Sequence, residues 1–416
     1  MKSAGILMPV ASLPSNYGIG DFGDQAYQFV DLVASMKMKI WQVLPLNPLG
    51  YGNSPYQAYS SFAGDELYIS LDKLVTDGLL EDNQLKNFND QATRIDYQAV
   101  RSYKQTYLQQ AFHQFMTTNN YLNDEYQKFL TTHLWAHDYA VFLTFKKINN
   151  LTIWTSWPDQ YKNWIKDKQL DLTPYQLQIN YELFIQFIFY RQWYALKNYA
   201  NQAGIQIMGD IPIYLGLDSL DVWANQEMFL LDEQQQPTFI AGVPPDFFSE
   251  TGQRWGNPLY NWDKLQDSQF KFWLDRLAGN SVAFDIIRID HFRAFDTYWK
   301  IPASCPTAIE GEWVEAPGYA LFDTIYKQLP NIQIVAEDLG DLRPEVLILR
   351  DHYKLKGMKI FQFIFDPLKD NSSLDIINTI VYTGTHDNST LMGWYSSLSI
   401  DEQHNLREYF KADDNE

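Results

Sequence analysis

The sequence has a single cysteine, Cys305, among 416 residues. Neither an intramolecular disulfide nor a thiolate metal cluster can form, which fits a reducing compartment; a cytoplasmic location is expected. No apolar run reaches the roughly 18 residues of a membrane span, so no membrane partner is expected. The N-terminal "MKSAGILMPVASLPS" carries one lysine and a short apolar run broken by Pro9. A secretory leader has a more continuous apolar stretch, and this segment reads as a strand entering the fold. Basic residues are in the minority: the formal net charge is −19 and the pI is near 4.7. A nucleic-acid binder needs a basic face, so no nucleic-acid partner is expected, and an acidic surface suits a neutral one. There is no glycine-rich phosphate loop, no fixed-period repeat and no low-complexity tract. The stretch "DEQQQP" at 232–237 reads as a short polar turn.

What is abundant is aromatic. Trp, Tyr and Phe make up 16% of the chain, and the hydrophobic fraction is 46%, enough for a large core. Most of these rings belong to packing. The sharper role open to them is stacking on sugar rings, because Trp and Tyr combine a flat apolar face with a polar edge.

Short apolar runs alternate with longer helical patterns. "KIWQVLPL" (39–46) follows the helical "DQAYQFVDLVASMK", and "GIQIMGDIPI" (204–213) follows an amphipathic stretch from about Glu182 to Ala203. "VAFDIIRIDHF" (282–292) follows "FKFWLDRLAGN", whose Gly279-Asn280 pair predicts a helix C-cap. "NIQIVAEDLG" (331–340), "MKIFQFIF" (358–365) and "INTIVYTGTHDN" (377–388) complete the series. Near-continuous Val, Ile and Phe predicts strands buried on both faces, and intervening helices predict parallel pairing.

The acids are the telling feature. Asp210, Asp290, Glu337 and Asp387 each fall at or just past the C-terminal end of such a run. A (β/α)8 barrel of TIM type gathers its chemistry on that rim; an open doubly wound sheet also uses carboxyl ends, but usually with a phosphate loop. The α/β TIM-type barrel with helical insertions is therefore the predicted fold. Residues 1–74 would start the barrel and carry a substrate loop. Residues 75–180 would form a mainly helical insertion, since "LWAHDYAVFLTFKK" and its neighbours break the rhythm. Residues 181–416 would supply the rest, with 214–262 a long loop region whose 241–262 part lies on the acceptor side.

Three carboxylates at one barrel mouth admit two chemistries. One is divalent-metal binding. The other is glycosidic cleavage, which needs a nucleophilic carboxylate and a proton-donating carboxylic acid about 5 to 5.5 Å apart in the retaining case. In "FDIIRIDHFRAF" (284–295), Arg288 lies two residues before Asp290, so a strand points both to one face. A cation there favours an ionised Asp290, and the two arginines, Arg288 and Arg293, oppose a metal dication. Glu337, after the apolar "VA", sits where its pKa can rise. In "GTHDN", His386 adjoins Asp387, so a donor and a carboxylate can share one sugar's hydroxyls. Each residue alone has an ordinary explanation: an ion pair for Asp290 with Arg288, a solvated strand end for Glu337, a loop histidine for His386, a turn cap for Asp210 before Pro212. Their shared topological position argues for a common purpose.

"GDIPIY", "DIIRIDHFRAF", "VAEDLG" and "YTGTHDN", in that order, resemble the 4-α-glucanotransferases of the amylomaltase type, glycoside hydrolase family 77, in the α-amylase clan. "GYGNSPYQAYSSFAGD" (50–65) and "AGVPPDFFSETGQRWGNPLYNW" (241–262) look like longer signatures of the same family. The resemblance implies transfer of α-1,4-glucan segments from a maltooligosaccharide or starch-type donor to a glucose or maltooligosaccharide acceptor, with no metal, nucleotide or redox cofactor. It implies Asp290 as nucleophile, Glu337 as acid and base, and Asp387 as stabiliser of the oxocarbenium-like state. Arg288, His386 and Asp210 would surround the cleaved sugar and Tyr56 would stack on it. Trp255, Gln253 and Asp246 would sit on a loop lidding the acceptor side, with Tyr51 and Ser54 on a rim. A lid that excludes water would favour a sugar acceptor over hydrolysis. Only "STLMGWYSSLSIDEQHNLREYFKADDNE" follows the His-Asp pair, enough for one helix or two rather than an eighth strand and its helix, so a truncated form is expected. A plain α-glucan hydrolase and an inactive sugar-binding fragment are the alternatives on the same residues.

Overall fold

Val, Ile and Met fill the short runs between helical stretches, and those runs form the strands. The structure is a computed structural model that describes residues 3–88, 93–246, 249–365 and 377–412. In chain order the strands are β1 (Gly5–Leu7), β2 (Ile40–Gln42), β3 (Gln206–Pro212), β4 (Phe239–Val243), β5 (Gln253–Pro258), β6 (Ile286–Asp290), β7 (Thr297–Pro302), β8 (Glu312–Glu315), β9 (Ile334–Ala336), β10 (Gly357–Ile360) and β11 (Thr379–Tyr382). β1, β2, β3, β6 and β9 pair in that order, all parallel, and β10 pairs parallel with β11. A parallel bridge from Val335 to Lys356 links the two sets. Helices such as Asp24–Ser35, Lys271–Ala283, Gly318–Gln328 and Pro344–His352 return the chain between strands. The antiparallel β5-β4-β7-β8 sheet stands beside this system.

The parallel sheet curls on itself. Met208 of β3, Ile286 of β6, Val335 of β9 and Met358 of β10 form one buried cluster, and Ile40 of β2 with Ile380 and Tyr382 of β11 pack against it. Tyr382 Oη donates to Gln42 Oε1 at 2.6 Å, joining β11 to β2. Strands so far apart in sheet order meet only when the sheet bends into a barrel. Alternate residues turn outward: Ile207, Ile211, Ile287 and Ile289 join the large core shared with the helices. This is the TIM-type α/β barrel expected from the sequence.

Between Leu71 and Gln202 the described chain is helical, with Tyr97–Thr117 and Trp135–Ile148 packed against the long Gln176–Gln202 helix. That helix grips the segment from Gly64 to Ser70: Gln186 exchanges two hydrogen bonds with the Gly64 backbone and Gln192 two with Ser70.

Three expectations are corrected. The Gly279-Asn280 pair does not end its helix, which runs on to Ala283. Gly279 is there because a Cβ would lie 2.8 Å from the Phe62 ring, and the Asn280 amide donates to Arg276 O and Ser61 O. The run 358–365 is a strand only as far as Ile360; Phe361–Ile364 form a helical turn that stacks Phe361 on Phe365 four residues on. The stretch 214–262 is no continuous loop, since it holds the helix Leu220–Ala224 and strands β4 and β5. β4 pairs with its near neighbour β5 and, on its other edge, with the distant β7, where Phe239 lies opposite Pro302; local pattern could not announce that second pairing. The "DEQQQP" stretch does form a turn, closed by Asp232 N–H on Gln236 O at 2.8 Å.

Gly209 ties this packing to the rim. A Cβ there would lie 2.3 Å from the Phe284 ring, inside van der Waals contact. Gly209→Val therefore lowers the thermal midpoint, by an overpacking cost of about 1–3 kcal/mol. It also lowers activity, because Asp210 is the next residue of β3; thermal denaturation and a turnover assay check both.

Candidate active site

Parallel pairing sets Asp210 opposite Arg288 and Pro212 opposite Asp290 on β3 and β6. The two-residue period then points Ile286, Arg288 and Asp290 into the barrel, with only Asp290 reaching the rim. Arg288 is 4% exposed. Its Nη1 donates to Asp210 Oδ1 and Oδ2 at 2.7 and 2.8 Å, and its Nη2 lies 3.0 Å from Asp290 Oδ1. Burial works against the guanidinium charge, but the carboxylates of Asp210 and Asp290 outweigh it and hold Arg288 well above its ordinary range. Burial raises the Asp210 carboxyl, opposed by Arg288.

Tyr56 closes the deep side. Its hydroxyl donates to Asp210 Oδ2 at 2.8 Å and lies 2.9 Å from His386 Nε2, with the two rings stacked at 5.6 Å. Burial and the Asp210 charge push the phenol far up, so it stays a neutral donor. With its one proton on Asp210, the Nε2–H of His386 is the donor to Tyr56. His386 Nε2 is also 3.3 Å from Asp387 Oδ1. Among the described contacts Asp387 joins the cluster through His386, and its side chain is largely exposed.

Glu337 follows β9 directly. Its N–H donates to Ile289 O, and its own carbonyl accepts from Phe292 N–H, both at 3.0 Å, which docks it beside the end of β6. Its carboxylate accepts from His291 N–H at 2.7 Å and Leu339 N–H at 2.9 Å. His291 itself has a left-handed backbone with φ 57°, a costly conformation for a residue with a Cβ. Burial first, and the Asp290 charge second, push Glu337 up to about 7, against Arg288 and the two N–H groups. One carboxyl is thus poised to carry a proton near neutrality while its neighbour is held by a guanidinium.

The whole chain past its first strand matches a known family. The 4-alpha-glucanotransferase model of glycoside hydrolase family 77 covers residues 8–416. The chain belongs to the 4-alpha-glucanotransferase family. It is 44% identical to a 4-alpha-glucanotransferase of Synechocystis sp. across 98% of this chain and 83% of that protein. It is 42% identical to one of Thermus thermophilus across the same shares. Among solved structures, the amylomaltase of Streptococcus agalactiae in complex with acarbose superposes with a TM-score of 0.93 at 37% identity, covering 100% of this chain and 86% of that one.

The remaining residues suggested by the family resemblance fall in different settings. Trp255, on β5, meets the His291 ring edge-on at 4.8 Å, so the antiparallel sheet reaches the rim beside Asp290. Gln253, two residues earlier, accepts from Trp255 Nε1 at 3.1 Å. Asp246 Oδ1 accepts from Ser249 N–H at 2.8 Å within its own turn. Ser54 is likewise a turn residue, its hydroxyl accepting from Tyr56 N–H at 3.3 Å. The side chain of Tyr51, and Phe247 and Phe248 of the expected lid, lie outside the described residues. Two groups were missed. The His291 imidazole is pushed down to about 4 by burial and by Arg293, so it stays neutral beside Trp255. Tyr382, pushed up to about 12 by burial, links the barrel wall to Gln42. The alternation of Ile380 and Tyr382 in β11 was the available signal for the second; nothing local signalled the first.

Arg288→Lys keeps a charge but cannot reach both carboxylates, because an ammonium has no planar fork. It is expected to retain the fold by circular dichroism and to lose roughly a hundredfold or more in kcat/KM, a displacement-sized effect.

Proposed function

We propose that Asp290 and Glu337 carry a retaining double displacement that moves α-1,4-glucan segments between maltooligosaccharides. The Asp290 carboxylate attacks the anomeric carbon while Glu337 gives its proton to the departing glycosidic oxygen. The bond to Asp290 forms as the glycosidic bond breaks, and the first sugar leaves with a neutral hydroxyl. Glu337, now a carboxylate, takes the proton of an incoming sugar hydroxyl, which attacks the same carbon and frees Asp290. The observation that carries this reading is the pairing of a Glu337 carboxyl near 7 with an Asp290 in contact with Arg288.

Arg288 supports the reading as the group that fixes the nucleophile's position, with Asp210 and Tyr56 as its anchor. Asp387 and His386 are proposed to bind ring hydroxyls of the cleaved sugar, and Trp255 to stack on the acceptor side. Asp246, Gln253, Tyr51 and Ser54 are proposed to shape that side and its rim. The proposed donors are maltooligosaccharides or starch-type glucans, and the acceptors glucose or maltooligosaccharides. Among the described residues no helix is long and apolar enough to cross a membrane. A cytoplasmic location is proposed on the single cysteine.

Incubation with maltotriose tests the reaction: glucose together with oligosaccharides longer than the donor is expected, and shorter sugars alone would mean hydrolysis. Asp290→Asn abolishes turnover with the fold retained. Glu337→Gln loses about 10²–10⁴-fold on maltotriose. An α-glucosyl fluoride donor, whose leaving group needs no proton, restores glucosylation of Asp290 in that variant, read by mass spectrometry of the intact protein. No such recovery would remove Glu337 from the acid role. Since the acid form is the active one, kcat/KM falls as pH rises through about 7.

A further inference from the structure

The loop that follows Glu337 is fastened on both sides of a flexible joint. Before the joint, the Asp338 carboxylate takes Met358 N–H at 2.6 Å and Arg350 Nη1 at 2.5 Å. The joint is Gly340, with φ 87°, where a Cβ would meet nothing within 4 Å, so the position asks only for the backbone freedom of glycine. Beyond it, two arginines tie the loop to the turn that follows Asp290. Arg343 gives Nε and Nη2 to the Asp296 carboxylate at 2.5 and 2.8 Å, an ordinary ion pair. Arg293 instead donates its Nη1 to a main-chain carbonyl, Asp341 O. Its guanidinium lies over the Trp313 ring, 3.7 Å from the centroid, and Trp313 packs on Trp299 at 5.1 Å. Its buried Nε has no hydrogen-bond partner among the described residues, and burial weighs against its charge. A guanidinium kept at that cost for one carbonyl points to position rather than stability.

We propose that Arg293, stacked on Trp313, is a positioning residue for the acid: it holds the loop after Glu337 in the conformation that sets the Glu337 carboxyl beside Asp290. Between the two fastenings lies Leu339, whose N–H gives Glu337 Oε1 its 2.9 Å bond. The other carboxyl oxygen is held by His291 N–H, two residues before Arg293 in the same turn. One side chain therefore links the two segments that supply both N–H groups. Its support is β8, a strand of the antiparallel sheet, so the sheet that carries Trp255 also braces the acid's loop. Released at Asp341, the loop is free to pivot at Gly340 and draw Leu339 N–H away from the carboxyl. A misplacement of about 1 Å in a reacting group costs on the order of a hundredfold in rate. The inference rests on Glu337 being the acid.

Two donors separate positioning of the acid from general support of the rim. Maltotriose needs a proton for its departing sugar, whereas fluoride leaves α-glucosyl fluoride without one. Arg293→Met is expected to lower kcat on maltotriose about tenfold or more with KM within about twofold, and to keep first-turnover fluoride release within about threefold of the parent. Arg293→Lys, which keeps a cation for the ring and a donor for the carbonyl, recovers part of the loss. Trp313→Leu replaces a ring that is 39% exposed on an edge strand, and it shows the same split to a smaller degree, so the test survives a folding defect in Arg293→Met. Parallel losses on the two donors, a rise in KM alone, or unchanged kcat on maltotriose would overturn the proposal. Glu337→Gln, run beside them, keeps the two readings apart. A split there without one in the Arg293 and Trp313 variants removes only the positioning role. No split in Glu337→Gln removes the acid assignment and the positioning role with it.

Discussion

The site depends on one guanidinium that serves two carboxylates. Arg288 gives two hydrogen bonds to buried Asp210 and one contact to Asp290 at the rim. Buried charges are tolerable only when paired, and removing one member leaves an uncompensated charge that costs several kcal/mol. Asp210, Arg288 and Tyr56 therefore form a unit. The planar fork matters because it fixes direction as well as charge: the edge that faces Asp210 determines where the other edge meets Asp290.

That unit also explains why the surroundings of Asp290 and Glu337 differ. Asp290 touches the guanidinium, whereas Glu337 faces two backbone N–H groups and the Asp290 charge. Burial and the Asp290 charge raise Glu337 to about 7, the setting of a carboxyl that can give a proton near neutrality. His291 gives its N–H to Glu337 immediately after the strand that carries Asp290, and its left-handed backbone turns the chain away there. The neutral His291 ring, wedged against Trp255, then connects the barrel rim to the antiparallel sheet.

Much of this was legible in the sequence because it follows from period and position. Alternation put Arg288 and Asp290 on one face, and helix-strand alternation put Glu337 and the His386-Asp387 pair past the ends of their strands, whereas Asp210 lies inside β3, opposite Arg288 and below the rim. What stayed hidden depends on contacts between distant segments. The strands Phe239–Val243 and Thr297–Pro302 pair across an intervening barrel strand, a pairing that no local pattern carries. Gly279 resembled a cap because its reason for being glycine is Phe62, more than two hundred residues earlier. The apolar run after Met358 favoured a strand, yet Phe361 and Phe365 pack as an i, i+4 pair against Phe410 from the C-terminal helix.

The central claim is that Glu337 holds its proton near neutrality and that Asp290 helps it do so. A carbon-13 titration of the Glu337 carboxyl, in the intact chain and in Asp290→Asn, measures this directly. The account expects a midpoint near 7 in the intact chain and a lower one in the variant. A midpoint in the ordinary range of about 4, or one indifferent to loss of the Asp290 charge, would contradict it.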